Sequence, residues 1–202
     1  MSYSDFSIKK TQDDFGLEIV EGLGIFSNIE SSQISDYFSK TLEENLPLAV
    51  AINTEKAKSE LIVSDVLIEV RKKFNRKISF FSGIEFNIDK DRGLNGYCDF
   101  IVSLSPEQLF IKSPVIALVE AKNENIMSGL GQCIAEMVAA KIFNGKEGNN
   151  IPITYGAVTT GIFWKFLKLA DNTVYIDLKD YSIEDNPGRV IGILSSMMEQ
   201  KA

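Results

Sequence analysis

The chain has 202 residues, of which 45% are hydrophobic and 24% are charged, and its formal net charge is −7. This length and composition are typical of one globular domain with its own core, and the negative charge argues against a broad, non-specific nucleic-acid coat. The chain contains no histidine, which excludes histidine-ligated zinc sites and catalytic triads that use an imidazole base.

Cysteine usage and hydropathy favour a cytoplasmic location. Cys98 and Cys133 are too few for a disulfide framework, which favours a reducing compartment. No apolar run approaches the roughly 20 residues that a membrane helix requires. The first residues include no apolar segment of the signal-peptide kind. We therefore expect a cytoplasmic protein that has no membrane partner.

The N-terminal part of the chain predicts short elements followed by one strong helix. Residues 7–14 predict a helix, 16–20 a strand and 32–44 a second helix. The strong helix begins after Asn53 or Thr54, either of which can serve as its N-cap. It ends in five lysines and arginines among residues 71–77. This cationic end fits contacts with phosphates or a solvated helix end, and we favour the solvated end.

Strand patterns begin after this helix. Residues 77–89, 97–104 and 113–125 predict three strands, and a helix from 126 to 143 follows, which we expect Asn144 and Gly145 to end. Residues 153–160 predict a fourth strand. Residues 162–169 and 173–178 predict an antiparallel pair, and a closing helix begins near residue 183. This order predicts an α/β domain in which helices flank a mixed β-sheet.

Charged residues stand at the end of the third predicted strand. Glu120 and Lys122 follow an unbroken apolar run, and their side chains point to the same face because strand side chains alternate. Asp99 lies near the end of the preceding strand. If these strands pair, the carboxylates of Asp99 and Glu120 and the carbonyl of Ala121 converge. Hard divalent cations such as Mg²⁺ prefer such oxygen ligands.

The acid and lysine pattern also fits other interpretations. A second triplet, Asp177-Leu178-Lys179, lacks a comparable upstream acid, and we interpret it as a surface feature. Glu120 and Lys122 alone would fit a strand-end ion pair of little energetic value. Together with Asp99 and the following helix, they favour a metal site. A partly buried Lys122 beside a metal would then have a lowered pKa and could act as a base.

Asp99, Glu120-Ala121-Lys122 and the helices on both sides resemble the PD-(D/E)XK nuclease superfamily, which has the restriction-endonuclease-like fold. The resemblance covers residues 53–169, and Cys98 stands where the written motif has proline. It implies a metal-dependent nuclease that hydrolyses phosphodiester bonds of DNA, with RNA left open as a substrate. It also implies Mg²⁺ or Mn²⁺ as the cofactor, held by Asp99, Glu120 and Ala121, with Lys122 as a catalytic residue.

The resemblance extends to two helical positions. Many members supply a catalytic and metal-binding acid from the first core helix, and Glu60 is the candidate in this chain. Glu60 shares a helix side with Ala57 and Ser64, so we expect it to face the sheet rather than solvent. Some branches carry a glutamine on the helix after the lysine, and Gln132 matches that position. A solvated glutamate and a locally hydrogen-bonded glutamine are the alternatives.

We expect a single domain, with an N-terminal helical extension over 1–50, a nuclease-like core over 53–169 and a C-terminal hairpin strand and helix over 170–202. The leading hypothesis is a DNA nuclease. The acidic charge motivates an alternative, a catalytically inactive binding or regulatory module with the same fold. Hydrolysis of a small phosphoester substrate is a third hypothesis, and the sequence leaves a homodimer open. Trp164 fits base stacking or a half-buried hairpin, and we favour the hairpin.

Overall fold

The computed structural model describes residues 1–200 and contains an eight-stranded mixed sheet with helices on both faces. The helices are α1 (Ile8–Phe15), α2 (Asp36–Ile52), α3 (Glu55–Lys58), α4 (Ser64–Lys73), α5 (Ile126–Lys146) and α6 (Pro187–Met197). The strands are β1 (Glu18–Gly22), β2 (Ser79–Glu85), β3 (Tyr97–Ser103), β4 (Val115–Ala121), β5 (Ile153–Thr159), β6 (Phe163–Ala170), β7 (Thr173–Asp177) and β8 (Tyr181–Ser182). The predicted α/β class is confirmed.

The strands run in the order β1-β7-β6-β5-β4-β3-β2, and β8 pairs with β6. The pairs β1–β7 and β4–β5 are parallel, and the other neighbours in this order are antiparallel. The parallel pair β4–β5 requires a crossover connection, and α5 provides it. The predicted hairpin is formed by β6 and β7, with Asp171 in the left-handed region at φ 50°.

Hydrophobic cores lie on both faces of the sheet. One contains residues from α2, α4 and α6, such as Phe38, Val66 and Ile191, and the other contains residues from α5, such as Leu130 and Ile134. Because helices cover both faces, every residue of β4 is buried, which accounts for its continuous apolar run. The charged end of β4 therefore emerges from a fully covered strand.

Helix α5 is long and apolar enough to cross a membrane by length and composition, but 61% of its most apolar 18-residue window is buried inside the protein. Gly131 lies against the N-terminal segment, where an added Cβ would stand 2.2 Å from the carbonyl oxygen of Phe6. The apolar character of α5 is thus accounted for by core packing.

The predicted end of this helix at Asn144 and Gly145 is wrong. Helix α5 continues to Lys146, and the left-handed glycine is Gly148 at φ 78°. Asn144 is buried, and its side chain accepts from the N–H of Val115 at 2.8 Å and donates to the Val115 carbonyl at 2.7 Å. Asn144 is retained inside the helix because it fastens α5 to the start of β4.

In the C-terminal strands, the favoured hairpin position of Trp164 is confirmed, and the predicted surface position of Asp177 is wrong. Trp164 is fully buried in β6, a strand with neighbours on both sides, and its indole N–H donates to Gly161, so it cannot stack on a base. Asp177 is also fully buried, not on the surface as predicted. Its carboxylate accepts hydrogen bonds from four groups: the N–H of Gly24, Phe26 and Lys179, and the hydroxyl of Tyr181. The loop after β1 folds over β7 and requires this acid for its backbone donors.

Candidate active site

The ends of β3 and β4 bring Asp99 and Glu120 into the same neighbourhood. The two strands are antiparallel, with Phe100 opposite Val119. Asp99 and Glu120 are the next residues in this register and therefore lie opposite each other. The Oδ2 atom of Asp99 accepts a hydrogen bond from the N–H of Ala121 at 2.8 Å. The Asp99 carboxylate therefore lies against the backbone of the residue that separates Glu120 from Lys122.

Lys122 connects the strand end to α5. Its Nζ atom lies 2.5 Å from Oε1 of Glu120, and the lysine side chain is 21% exposed while that of Glu120 is 2% exposed. Oε1 of Gln132 accepts from the same Nζ at 3.4 Å, and the Gln132 amide donates to Glu136 at 3.1 Å. The sequence-predicted Gln132 thus contacts the sequence-predicted Lys122. Glu136, which is fully buried, completes a polar chain into the core.

A glycine in α5 makes room for this lysine. At Gly129, an added Cβ would stand 2.7 Å from Cγ1 of Val158 and 3.1 Å from Cε of Lys122. Glycine in a helix interior is destabilising by about 1 kcal/mol relative to alanine. Its presence at 129 therefore reflects the close approach of the lysine stem and β5 to the helix.

The pKa of Glu120 is strongly perturbed. Burial, followed by the nearby Asp99 carboxylate, raises the pKa of Glu120 to about 8, and Lys122 offsets only part of this. Burial and the charge of Glu120 also raise the pKa of Glu136 well above its ordinary value. The second carboxyl oxygens of both glutamates are buried without a hydrogen-bond partner. A buried polar oxygen without a partner is costly, so this arrangement suits a site built to hold a ligand.

The pKa of Lys122 is raised in the cation-free protein. Burial lowers it, but the charge and hydrogen bond of Glu120, with Glu55 and Asp99, outweigh burial and raise the pKa overall. The predicted lowering assumed a metal beside Lys122 and stays a prediction. Because the surrounding carboxylates and the hydrogen bond to Glu120 outweigh desolvation, Lys122 keeps its ammonium group, which suits charge stabilisation better than proton abstraction.

Glu60 does not face the sheet, and that prediction is wrong. Its side chain is 63% exposed and lies 3.8 Å from Lys56. The chain between α3 and α4 forms a π-helical turn, Ser59–Val63, in which Ile62 and Val63 are buried in the core. A π-helical turn holds more residues than an α-helical turn, so the phase of the helix changes and Glu60 turns outward.

Glu60 still lines a cleft with Asp99. The cleft has a volume of about 280 Å³ and is lined by Glu55, Lys56, Ser59, Glu60, Ser82, Gly83, Asp99 and Phe100. Glu55, which the sequence analysis missed, helps to raise the pKa of both Glu120 and Lys122. The structure therefore makes Glu55, rather than Glu60, the helix acid that acts on the pair. Its position directly after the N-cap Thr54 is typical of an ordinary first-turn acid, which hid this role.

Lys58 is a second residue that the sequence analysis missed. It is 6% exposed, and its Nζ atom donates to Oδ1 of Asn53 at 2.8 Å and to the carbonyl and Oδ1 of Asn123 at 2.9 and 3.1 Å. These bonds fasten the loop that follows Lys122 to α3. No sequence signal distinguishes Lys58 from a solvated helix lysine, since its acceptors come from distant segments.

The carboxylates at the ends of β3 and β4 decide whether a divalent cation fits this site. Within residues 1–200, no group of three or more His, Cys, Asp or Glu side chains is arranged to hold a metal ion. Asp99 is close enough to Glu120 to raise its pKa, and the second carboxyl oxygen of Glu120 has no hydrogen-bond partner within the described residues. Mg²⁺ commonly takes one or two carboxylates and keeps several waters, so this donor set fits Mg²⁺ or Mn²⁺.

Comparison with protein-family models, with curated protein sequences and with solved structures gave no match. The sequence resemblance to PD-(D/E)XK nucleases therefore stays a prediction. Its support comes from the residues at the ends of β3 and β4 and from the polar chain that reaches Gln132.

Proposed function

We propose that this protein has a restriction-endonuclease-like core and is a Mg²⁺- or Mn²⁺-dependent nuclease that hydrolyses phosphodiester bonds of DNA. One observation carries the proposal. Asp99 and Glu120, from adjacent strands, meet beside Ala121 with Lys122 paired to Glu120 at 2.5 Å, and the second oxygen of Glu120 is buried without a partner. An ordinary surface ion pair would not bury an unpartnered carboxylate oxygen.

Asp99, Glu120 and the carbonyl of Ala121 would hold the cation. When bound, it would polarise the phosphoryl group and lower the pKa of a bound water. Glu120 holds a proton at neutral pH in the cation-free protein, since its pKa is about 8, and must release that proton to serve as a ligand. Asp99, half-buried and facing the cleft, stays accessible from solvent.

Lys122 supplies positive charge next to the reacting phosphate. Its ammonium group is held by Glu120 and by Oε1 of Gln132 at 3.4 Å. An ammonium fixed in this way stabilises negative charge that develops on phosphate oxygens, and fixed charges in a partly dry site are effective because they need not reorganise. Gln132 acts as a positioning residue through its contact with Lys122.

Cleavage of duplex, single-stranded and branched DNA with and without Mg²⁺ tests the proposal. Asp99→Asn and Lys122→Ala should each lower the cleavage rate by at least about 100-fold. Glu124→Gln, a change of an exposed glutamate in the loop after Lys122, is the matched control and should cleave like the wild type. Residual cleavage that is equal in wild type, Asp99→Asn and Lys122→Ala would point to a contaminating nuclease and remove the proposal.

A catalytically inactive binding or regulatory module is the second candidate. Lys122 already occupies one oxygen of Glu120, and no third acid completes a cluster in the described residues 1–200. Calorimetry with Mn²⁺ separates the two functions. Binding that Glu120→Gln abolishes favours the nuclease, whereas the absence of binding to the wild type favours the module.

A further inference from the structure

A second cleft lies between the end of α4 and β2. Its volume is about 480 Å³, and it is lined by Ile68, Arg71, Lys72, Arg76, Phe80 and Gln108. We call it the cationic cleft, because three of these residues are cations and none is an acid. No acidic residue occurs between Glu69 and Glu85, although the chain as a whole has a net charge of −7. The cleft is thus a local concentration of positive charge on an acidic protein.

The protein does little to neutralise these cations. Lys72 lies 4.0 Å from the carboxylate of Glu69, but that carboxylate already accepts from the N–H and hydroxyl of Ser35 at 2.7 and 2.8 Å. Arg71 donates through Nε to the carbonyl of Ile78. Among residues 1–200, neither Arg71 nor Arg76 forms a salt bridge. Lys72 also lies 4.0 Å from the Tyr37 ring centroid, so Arg71 and Arg76 are the cleft cations that present positive charge without an acidic partner in the described part of the chain.

The backbone at Arg76 is strained, because a non-glycine residue adopts a left-handed φ there. Helix α4 ends in a Schellman motif, in which the N–H of Asn75 bonds to Lys72 at 2.9 Å and the N–H of Arg76 bonds to Arg71 at 3.0 Å. Asn75 and Arg76 have φ values of 52° and 59°. Glycine and asparagine occupy this left-handed region at little cost, but arginine does not. Strain of this kind commonly persists where the side chain has a function.

The cationic cleft and the cleft at Asp99 are separate but border the same elements. The helical segment from α3 to α4 lies along both, and β2 lies along both, with Phe80 in the cationic cleft and Ser82 and Gly83 beside Asp99. Two strand residues span about 7 Å, and the helix from Glu60 to Arg71 spans about 16 Å. A ligand that occupies both clefts must therefore be extended, with negative charge at the cationic cleft. Nucleotides in one strand of duplex DNA rise about 3.4 Å each, so these spans cover roughly two to five nucleotides.

We propose that the cationic cleft binds the sugar–phosphate backbone of DNA, about two to five nucleotides from the phosphate at Asp99 and Glu120. The identity of the ligand rests on the proposed nuclease function. Arg76 contacts a phosphate, and Arg71 and Lys72 add to the attraction. The cationic end that the sequence analysis interpreted as a solvated helix end is in this proposal a backbone-binding element.

The decisive comparison is between Arg76→Gly and Asn75→Gly. Both variants relieve a left-handed φ, so neither should lower the melting temperature, but only Arg76→Gly removes a cation. Binding is measured by fluorescence anisotropy of a labelled duplex of about 20 base pairs in EDTA, over a range of salt concentrations around 0.1 M. Arg76→Gly should weaken binding about eightfold at 0.1 M salt and lower the slope of log affinity against log salt by about 0.9. Asn75→Gly should bind like the wild type.

Three results would overturn the proposal: Arg76→Gly that binds as tightly as the wild type, equal weakening by both variants, and displacement of the duplex by inorganic phosphate at an equal phosphate concentration. The second would assign the effect to the turn, and the third would make the cleft a small-anion site. Because binding in EDTA needs no catalysis, an inactive wild type that loses DNA affinity through Arg76→Gly would reject the nuclease and retain the cleft. An active enzyme whose DNA affinity is unaffected by Arg76→Gly would retain the nuclease and reject the cleft.

Discussion

Replacing Glu120 by glutamine should stabilise the cation-free protein at neutral pH. The pKa of Glu120 is raised from 4.5 to about 8, first by burial and then by Asp99. Around pH 7, the carboxyl group is therefore ionised in the unfolded chain and protonated in the folded protein. Folding must take up a proton at this position, and Glu120→Gln removes that requirement.

The sign and size of this stability change follow from the linkage between proton binding and folding. Because the folded state binds the proton more tightly, the stability contributed by Glu120 is complete below pH 4.5 and is lost as the pH rises to about 8. Each pH unit corresponds to about 1.4 kcal/mol, so the loss at pH 7 is about 3 kcal/mol. Glutamine keeps an acceptor for Lys122 but adds a buried donor, which costs about 1 kcal/mol. Glu120→Gln should therefore be more stable by about 2 kcal/mol at pH 7 and no more stable at pH 5.

Urea unfolding in EDTA measures this difference, and Trp164, the only tryptophan, is fully buried and reports unfolding by its fluorescence. Wild type, Glu120→Gln and the exposed-loop control Glu124→Gln are compared at pH 5, 7 and 8. The gain of Glu120→Gln should grow with pH, and the control should track the wild type. A variant that is destabilised by the same amount at every pH would show that Glu120 is ionised in the fold and stabilised by Lys122, which would refute the reasoning.

Three other outcomes are expected. Mn²⁺ affinity of the wild type, measured by calorimetry, should rise about tenfold per pH unit from pH 5 to pH 8, because Glu120 releases one proton per ion bound; a flat profile would contradict this. Gly129→Ala should lower the melting temperature and the cleavage rate, since its Cβ would stand 3.1 Å from Lys122, whereas Gly145→Ala, with nothing within 4 Å, should not. Lys58→Met, which removes the hydrogen bonds to Asn53 and Asn123, should cost about 2 kcal/mol in urea unfolding; no loss would show that the loop does not depend on Lys58.

The strand ends could be predicted from the sequence because the relevant information is local. The apolar run of β4 and the pattern of β3 determine which residues are strands, and strands close in the chain commonly pair. Alternation then directs Glu120 and Lys122 to one face. Gln132 was assigned to the site from the family resemblance, and it reaches Lys122 because α5 follows β4 after a short loop.

Other features depended on contacts between distant segments. The π-helical turn that directs Glu60 outward exists because Ile62 and Val63 are buried in the core, and the burial of Asp177 depends on a loop more than 150 residues earlier in the chain. The raised pKa of Lys122 and the role of Glu55 arise from charges brought together by packing. Periodicity and spacing therefore determine the elements and their order in this protein. Burial and charge proximity, which set what each side chain can do, exist only once the elements pack.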